Sequence, residues 1–224
     1  MNRAFILIAS VSLSVIDVGS AVAATTTVTF DDISTSALVD FGLAGLPSPY
    51  DGLNWTCVSG CAQAVMNVPG YSSFYSSGYS GALVSSPNII DTAGFTFSPA
   101  AGGDFSFTSA YITGAWRDDL NVAVTGYNGS TVVDSVTLTL GAADTQGFYT
   151  FNWDNLTSVT ITPSGGTPSA TYTLSNGVQI GVDNLTYSTV PLPSSIWLLV
   201  SGLGLAGFLL TGGRSGIRTP WTGG

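Results

Sequence analysis

The sequence contains no histidine, no lysine and no glutamate. Without histidine or lysine, a serine or cysteine nucleophile has no side chain of the usual kind to act as its general base. A zinc site also lacks histidine ligands, and the phosphate-binding element GK[ST] cannot occur without lysine. These absences exclude the common triad hydrolases, zinc enzymes and P-loop enzymes, and they predict a non-catalytic protein.

Positive charge is scarce. All thirteen acidic residues are aspartates, the four basic residues are arginines, and the formal net charge is −9. Between Thr25 and Ser188 the only basic residue is Arg117. Such a domain repels phosphate groups, so we expect neither nucleic acid nor an anionic lipid surface as a partner.

The first residues have the features of a secretory signal. Arg3 precedes the apolar run Ala4–Val15, and small residues follow with an A-x-A pattern at Ala21–Ala23. This order of charge, apolar core and small residues is typical of a cleaved signal peptide, here residues 1–24. A retained membrane anchor is the alternative, although the apolar run is short for a membrane span.

Cysteine is limited to Cys57 and Cys61. In an exported chain, two cysteines this close predict a disulfide that closes a small loop. Two free thiols are the alternative.

Side chains alternate between apolar and polar through most of residues 25–189. Period-two alternation with one polar face is typical of antiparallel strands. Lysine and glutamate, which favour surface helices, are absent, whereas threonine, valine and tyrosine are plentiful. The sequence therefore predicts an all-β domain, an antiparallel two-sheet β-sandwich of jelly-roll type. The alternating segments are Thr26–Asp32, Gly94–Ser98, Asp104–Thr113, Leu120–Tyr127, Ser130–Leu140, Leu156–Thr162 and Val178–Tyr187.

Two features describe the connections between these strands. The sequence YNGS at Tyr127–Ser130 predicts a hairpin with a type I′ turn, in which both Asn128 and Gly129 have φ > 0. Residues Pro47–Pro87 are rich in glycine, serine, proline and tyrosine, and they predict long loops over the sandwich.

A second apolar run lies near the C-terminus. Residues 194–213 carry no charge, and this is about the length that crosses a bilayer. Arg214 and Arg218 follow, which predicts a cytoplasmic tail over residues 214–224. The alternative is a buried core segment.

The stretch VPLPSSIWLLVSGLGLAGF, from Val190 onward, resembles the PEP-CTERM sorting signal of exported bacterial proteins. The resemblance implies that Val190, Pro191, Leu192 and Pro193 form a motif recognised by exosortase, a membrane-embedded transpeptidase. It also implies a transient anchor in the inner membrane, cleavage near the prolines, and transfer to the cell surface or the extracellular space. Residues 25–189 resemble the β-sandwich domain of many such proteins, at VTFDD, GALVSSPN and VDNLTY.

Aspartates near both ends of the domain suggest a structural Ca²⁺ site. Hard cations prefer carboxylate, amide and backbone oxygens. The first and last strands of a jelly-roll module lie side by side, which would bring four residues together: Asp31, Asp32, Asp183 and Asn184. The alternative is that these residues bond locally to backbone N–H groups in turns.

Aromatic side chains in the predicted loops suggest a sugar-binding surface. Sugar rings stack on flat aromatic faces beside polar groups, and the tyrosines Tyr71, Tyr75 and Tyr79 are the candidates. The tryptophans in strand-like contexts are predicted to lie in the core: Trp55, Trp116 and Trp153.

These features together predict an exported, exosortase-sorted, non-catalytic surface or matrix protein that associates with extracellular polysaccharide. One alternative is a structural or adhesive matrix protein that associates with itself through sheet edges and has no glycan ligand. Another is a glycoside hydrolase that uses paired aspartates, such as Asp118–Asp119 or Asp31–Asp32.

Overall fold

The computed structural model describes residues 23–34, 42–57, 63–66, 77–142 and 147–189, with the backbone alone for 42–44, 57 and 63–66. These residues lie in one compact unit, Ala23–Val190. They form twelve strands and one short helix: β1 (Ala24–Val28), β2 (Gly42–Gly45), β3 (Leu53–Cys57), β4 (Gln63–Met66), α1 (Tyr79–Ala82), β5 (Asn88–Thr92), β6 (Phe95–Pro99), β7 (Phe105–Gly114), β8 (Arg117–Asn128), β9 (Thr131–Leu140), β10 (Phe148–Leu156), β11 (Ser158–Pro168) and β12 (Ile180–Thr189).

The strands form two antiparallel sheets. The seven-stranded sheet has the order β10-β7-β12-β5-β4-β2, and β1 also pairs with β12. The five-stranded sheet has the order β3-β6-β11-β8-β9. The first and last strands are therefore neighbours, as predicted, with Val28 opposite Leu185.

The inner faces of the sheets bury one continuous apolar core. Alternation along β8 places Leu120, Val122 and Val124 inside with no exposed surface. Across the core, Phe97 of β6 meets Phe107 of β7 edge to face at 5.3 Å. The predicted all-β, two-sheet sandwich is confirmed.

The three tryptophans that were predicted to lie in the core are buried or half-buried. Trp55 is 8 % exposed and Trp116 is 4 % exposed. Trp153 is half-buried against the main core. Their predicted core positions are confirmed.

Two predictions about connections need correction. The YNGS hairpin forms between β8 and β9, but only Gly129 has φ > 0, so the type I′ turn is wrong. Asn128 pairs with Thr131, which moves the turn one residue along the chain. The segment Pro47–Pro87 also contains more than loops, because strands β3 and β4 and helix α1 lie within it.

The two apolar ends of the chain lie outside the described residues, except for Ala23 and Ala24 at the start of the domain. This applies to the predicted signal peptide, the Val190–Pro193 motif, the span 194–213 and the tail 214–224. Among the residues that are described, no helix has the length and apolar character needed to cross a membrane.

Candidate functional site

An aromatic pair lies on the outer face of the seven-stranded sheet, with Phe148 exposed and Tyr111 half-buried. Phe148 of β10 stands directly opposite Tyr111 of β7. Their ring centroids are 4.9 Å apart, with the planes inclined at 46°. Phe148 is 51 % exposed, although burying a phenylalanine is worth about 1.5–3 kcal/mol. The pair therefore offers solvent an apolar surface held in place by two strands.

A row of hydroxyl side chains runs beside this pair. Ser109 of β7 is opposite Thr150 of β10 on one side and Thr186 of β12 on the other. Thr186 is in turn opposite Thr27 of β1, and the two hydroxyl oxygens are 3.1 Å apart. Two residues along an antiparallel strand span about 7 Å, so the hydroxyl row lies next to the rings on the same face.

A bulge in β7 turns Tyr111 outward. Phe105 and Phe107 point into the core, and simple alternation would place Tyr111 there too. Instead Ala110 and Ile112 are in the core, because the pairing with β12 shifts between Thr186 and Tyr187 and accommodates an extra β7 residue. The sequence analysis missed the pair for this reason, and no residue type in the segment marks the bulge.

Residues 77–88 cover the neighbouring part of this outer face. Asp183 of β12, which has no exposed surface, fixes the segment. Its carboxylate accepts hydrogen bonds from the backbone N–H groups of Val84 (2.8 Å) and Ser85 (2.9 Å) and from the Ser85 hydroxyl (3.0 Å). It also accepts one from the backbone N–H of Asn184, at 2.7 Å. Burial raises the pKa of Asp183 to about 6, although these hydrogen bonds oppose the rise.

A small second core lies under the same segment. Tyr79 and Trp116 meet edge to face at 5.6 Å. The Tyr79 hydroxyl is hydrogen-bonded to Asp91, whose pKa burial raises to about 6. Tyr79 is only 2 % exposed, so the expectation of an exposed sugar-stacking ring at this position is wrong. The ring belongs to the core because α1 packs it against the sheet.

The other predicted ligand tyrosines, Tyr71 and Tyr75, lie outside the described residues, as does Cys61. Cys57 lies in β3, where only its backbone is described. The Cys57–Cys61 disulfide therefore stays a prediction.

The predicted cation ligands converge in part. One oxygen of Asp31 accepts a hydrogen bond from the backbone N–H of Asn88 at 2.9 Å, whereas Asp32 accepts one from the Tyr50 hydroxyl. Asp31 and Asp183 thus hold two ends of one segment, 84–88, at the junction of β1, β5 and β12. The carboxylate of Asp183 is already occupied by four donors.

Two amide oxygens at this junction have no hydrogen-bond partner. The side-chain Oδ1 atoms of Asn88 and Asn184 are both buried and unpaired. Asn88 itself has no exposed surface, and its Nδ2 donates to the backbone oxygens of Phe30 and Ile33. Unpaired amide oxygens are suitable ligands for a hard cation. Over the described ranges, however, no group of three or more carboxylate, cysteine or histidine side chains could hold a metal ion.

The paired aspartates considered for glycosidase chemistry have separate surroundings. Asp118 accepts a hydrogen bond from the backbone N–H of Ala142 at 3.2 Å. Asp119 is exposed with φ of 52°. Asp31 and Asp32 bond to different elements, as described above.

Arg117, the one basic residue in the described part of the chain, is used internally. Its guanidinium donates to the backbone oxygens of Asn176 (2.6 Å) and Gly166 (2.7 Å). It fixes the 166–176 connection and does not face the aromatic pair.

No protein-family model matches the sequence, and no curated protein matches it either. A DUF4465 family protein from Bacteroides ovatus is similar in structure, with 10% sequence identity and a TM-score of 0.47 over 75% of this chain and 99% of that chain. TmCBM61 in complex with beta-1,4-galactotriose gives 10% identity and a TM-score of 0.34 over 62% and 89%. A mutant of CBM29-2, a family 29 carbohydrate-binding module, gives 14% and 0.28 over 75% and 92%. These values establish neither a family nor a ligand for this chain.

Proposed function

We propose that this protein is a non-catalytic surface or matrix protein that binds extracellular polysaccharide on the outer face of its seven-stranded sheet. The observation that carries the proposal is the Tyr111–Phe148 pair, in which Phe148 is exposed and Tyr111 is half-buried. The hydroxyl row beside it has Thr150 exposed, Thr186 half-buried and Ser109 buried between them. The apolar face of a sugar ring stacks on the aromatic rings. The threonine hydroxyls then donate to and accept from the hydroxyls of the sugar.

Charge favours a neutral polysaccharide. The chain carries a net charge of −9, and the guanidinium of Arg117 is bound to backbone oxygens away from the rings. An anionic polymer would be repelled by the aspartates and would find no free cation in the described part of the domain. The ligand class is therefore a neutral glycan with an accessible apolar ring face.

Affinity electrophoresis tests the proposal, with the purified protein run through gels that contain a neutral glucan, galactan or mannan, or anionic polygalacturonate. We expect a neutral polymer to retard the protein, and Phe148→Ala or Tyr111→Ala to weaken the retardation about fivefold, since stacking contributes on the order of 1 kcal/mol. Leu174→Ala is the matched control, because Leu174 is 63 % exposed on a loop. Retardation that survives both aromatic substitutions would contradict the site, and retardation by polygalacturonate alone would contradict the ligand class.

We also propose export and sorting. The apolar ends of the chain and the Val190–Pro193 motif support cleavage of the signal peptide, transient anchoring in the inner membrane, and processing by exosortase. Mass spectrometry of both termini of the protein from membrane and released fractions tests this. A released form that begins near Ala24 and ends near Pro193 is expected, whereas a released form that retains residues 196–224 would contradict it.

We further propose that a structural Ca²⁺ ion binds at the junction of β1, β5 and β12. Asp31 would hold it together with the amide oxygens of Asn88 and Asn184, whereas Asp32 and Asp183 would act as neighbours. One carboxylate and two amides form a donor set of low charge, so we expect weak affinity. Calcium should raise the melting temperature of the protein and release heat in titration calorimetry, and Asp31→Asn should abolish both effects. No response in the unmodified protein would contradict the site, as would an undiminished response in Asp31→Asn.

A further inference from the structure

Strand β9 is a free edge of the five-stranded sheet. It is ten residues long and pairs with β8 along one side. In the described part of the chain, no strand pairs with its other side. Its outward-pointing backbone N–H and C=O groups can therefore accept another strand.

Natural edge strands usually carry features that prevent such pairing, and β9 has few of them. It contains no proline and no basic residue, and its only charge is Asp134. Its pairing with β8 is regular from Leu140 to Asp134, with one shift near the turn. Three of its valines are exposed: Val132 (53 %), Val133 (46 %) and Val136 (37 %). A long, regular, β-branched edge of this kind favours strand addition.

The terminal strands elsewhere in the described residues differ from β9. The pairing of β10 with β7 shifts twice, at Thr150/Trp153 and Trp153/Leu156. Strand β3 has five residues and β2 has four. None of these strands offers an edge as long and as regular as β9. In length and regularity, the best pairing partner that this protein offers to β9 is therefore β9 of a second copy.

Self-pairing is also compatible with the charge on β9. The even-numbered residues from Asp134 to Leu140 lie on the core side, since Leu140, Leu138 and Val136 oppose core residues of β8. A two-fold axis perpendicular to the sheet must keep these residues on one face. An axis through Ser135 places Asp134 opposite Val136, and an axis through Val136 places it opposite Leu138. In both registers nine residues overlap, and the two Asp134 carboxylates do not face each other.

We propose that β9 is a self-association edge at which two copies of this chain pair antiparallel around a two-fold axis near Ser135 or Val136. The pairing joins two five-stranded sheets into one continuous sheet. Because each copy uses its β9 edge completely, the assembly closes at a dimer. The outer faces of the two seven-stranded sheets, with their aromatic pairs, are not consumed by the contact.

Sedimentation velocity of the purified protein without polysaccharide tests the proposal across a micromolar concentration series. We expect a monomer–dimer equilibrium. The double variant V133K/T137K should raise the dimer dissociation constant at least about tenfold. With the two-fold axis at Ser135, the ammonium group at position 133 of one copy lies opposite the ammonium group at position 137 of the other. The matched control N121K/A123K adds the same charge at exposed positions of the neighbouring strand β8 and should dimerise nearly as the unmodified protein does.

Cysteine cross-linking then tests the geometry. S135C should give a reducible dimer if the axis passes through Ser135, and V136C if it passes through Val136, with the unmodified protein as the background for the native cysteines. A monomer at all concentrations would overturn the proposal. So would a dimer that neither variant cross-links, or an open-ended series of larger assemblies. Since no sugar is present, these outcomes are independent of the glycan-binding test.

Discussion

Replacing Asp183 by alanine should destabilise the protein by about 3 kcal/mol at pH 7. The substitution leaves the backbone N–H groups of Val84, Ser85 and Asn184 without their acceptor. These donors are part-buried, and at about 1–3 kcal/mol for each donor left without a partner, the three cost together on the order of 6 kcal/mol. In the unmodified protein, burial of the ionised carboxylate already has a cost of its own, because it raises the pKa of Asp183 from 3.8 to about 6. At about 1.4 kcal/mol for each pKa unit, this cost is about 3 kcal/mol. Alanine removes this second cost, which offsets half of the first.

The loss should also depend on pH. A raised folded-state pKa means that protonation stabilises the native state, and this contribution is complete below pH 3.8 and lost as the pH rises through about 6. Alanine cannot take up the proton. The difference between the unmodified protein and Asp183→Ala should therefore be larger at pH 4.5 than at pH 7.

Urea unfolding followed by tryptophan fluorescence at the two pH values measures the difference. Asp154→Ala is the control, since Asp154 is exposed on β10 and its loss should change the free energy of unfolding by less than about 0.5 kcal/mol. In addition, hydrogen exchange should accelerate over residues 77–88 in Asp183→Ala. A loss below about 1 kcal/mol, or one that shrinks at low pH, would refute the view that the carboxylate holds this segment.

Three further outcomes follow from the structure. The unmodified protein should melt at a higher temperature at pH 4.5 than at pH 7, because burial raises the pKa values of both Asp91 and Asp183 from 3.8 to about 6; a rise in melting temperature with pH would contradict this. Phe107→Ala should cost about 3–5 kcal/mol in urea unfolding, since the ring has no exposed surface and stacks at 4.4 Å on a neighbouring ring; a cost near zero would contradict its place in the core. Gly78→Ala should lower the melting temperature, because the added Cβ would overlap a backbone carbonyl oxygen. Gly45→Ala should not lower it, because no atom lies within 4 Å of the Cβ added there. Equal effects of the two substitutions would contradict the close packing at Gly78.

Strands with uninterrupted alternation could be predicted from the sequence. The predicted segment Ser130–Leu140 corresponds to β9 at Thr131–Leu140, and Asp104–Thr113 corresponds to β7 at Phe105–Gly114. In these segments the apolar residues supply the burial that fixes the strand, so local pattern and tertiary packing agree.

Strand β10, by contrast, was not predicted. Its sequence FYTFNWDNL places Asn152 and Asn155 at φ of 53° and 57°, where the register with β7 shifts. Asparagine tolerates this conformation, but the same residues also suggest a turn. The two bulges interrupt the alternation of apolar and polar residues, so the period-two pattern does not predict this strand.

The types of residue at the candidate site could be predicted from the sequence, but the positions of these residues could not. Aromatic residues beside hydroxyl groups were expected, and the tyrosine named in the described region, Tyr79, lies in the core instead. Whether a ring faces solvent depends on the bulge beside Thr108 for Tyr111 and on helix α1 for Tyr79, and both depend on contacts between residues distant in sequence. Asp183 was selected as a metal ligand, and the structure gives its oxygens four hydrogen-bond donors from the protein itself.

The position of β12 has a mechanical consequence. Any pull on the chain after Thr189 enters a strand that β7 flanks on one side and β1 and β5 flank on the other. A load in line with such a strand must shear several hydrogen-bond ladders at once, whereas an edge strand would be peeled away one bond at a time. A tether after Thr189 would therefore load a strand that is paired on both sides, and it should resist tension better than one at β9 or β10. Force spectroscopy that pulls from Thr189 and from β10 would compare the two directions.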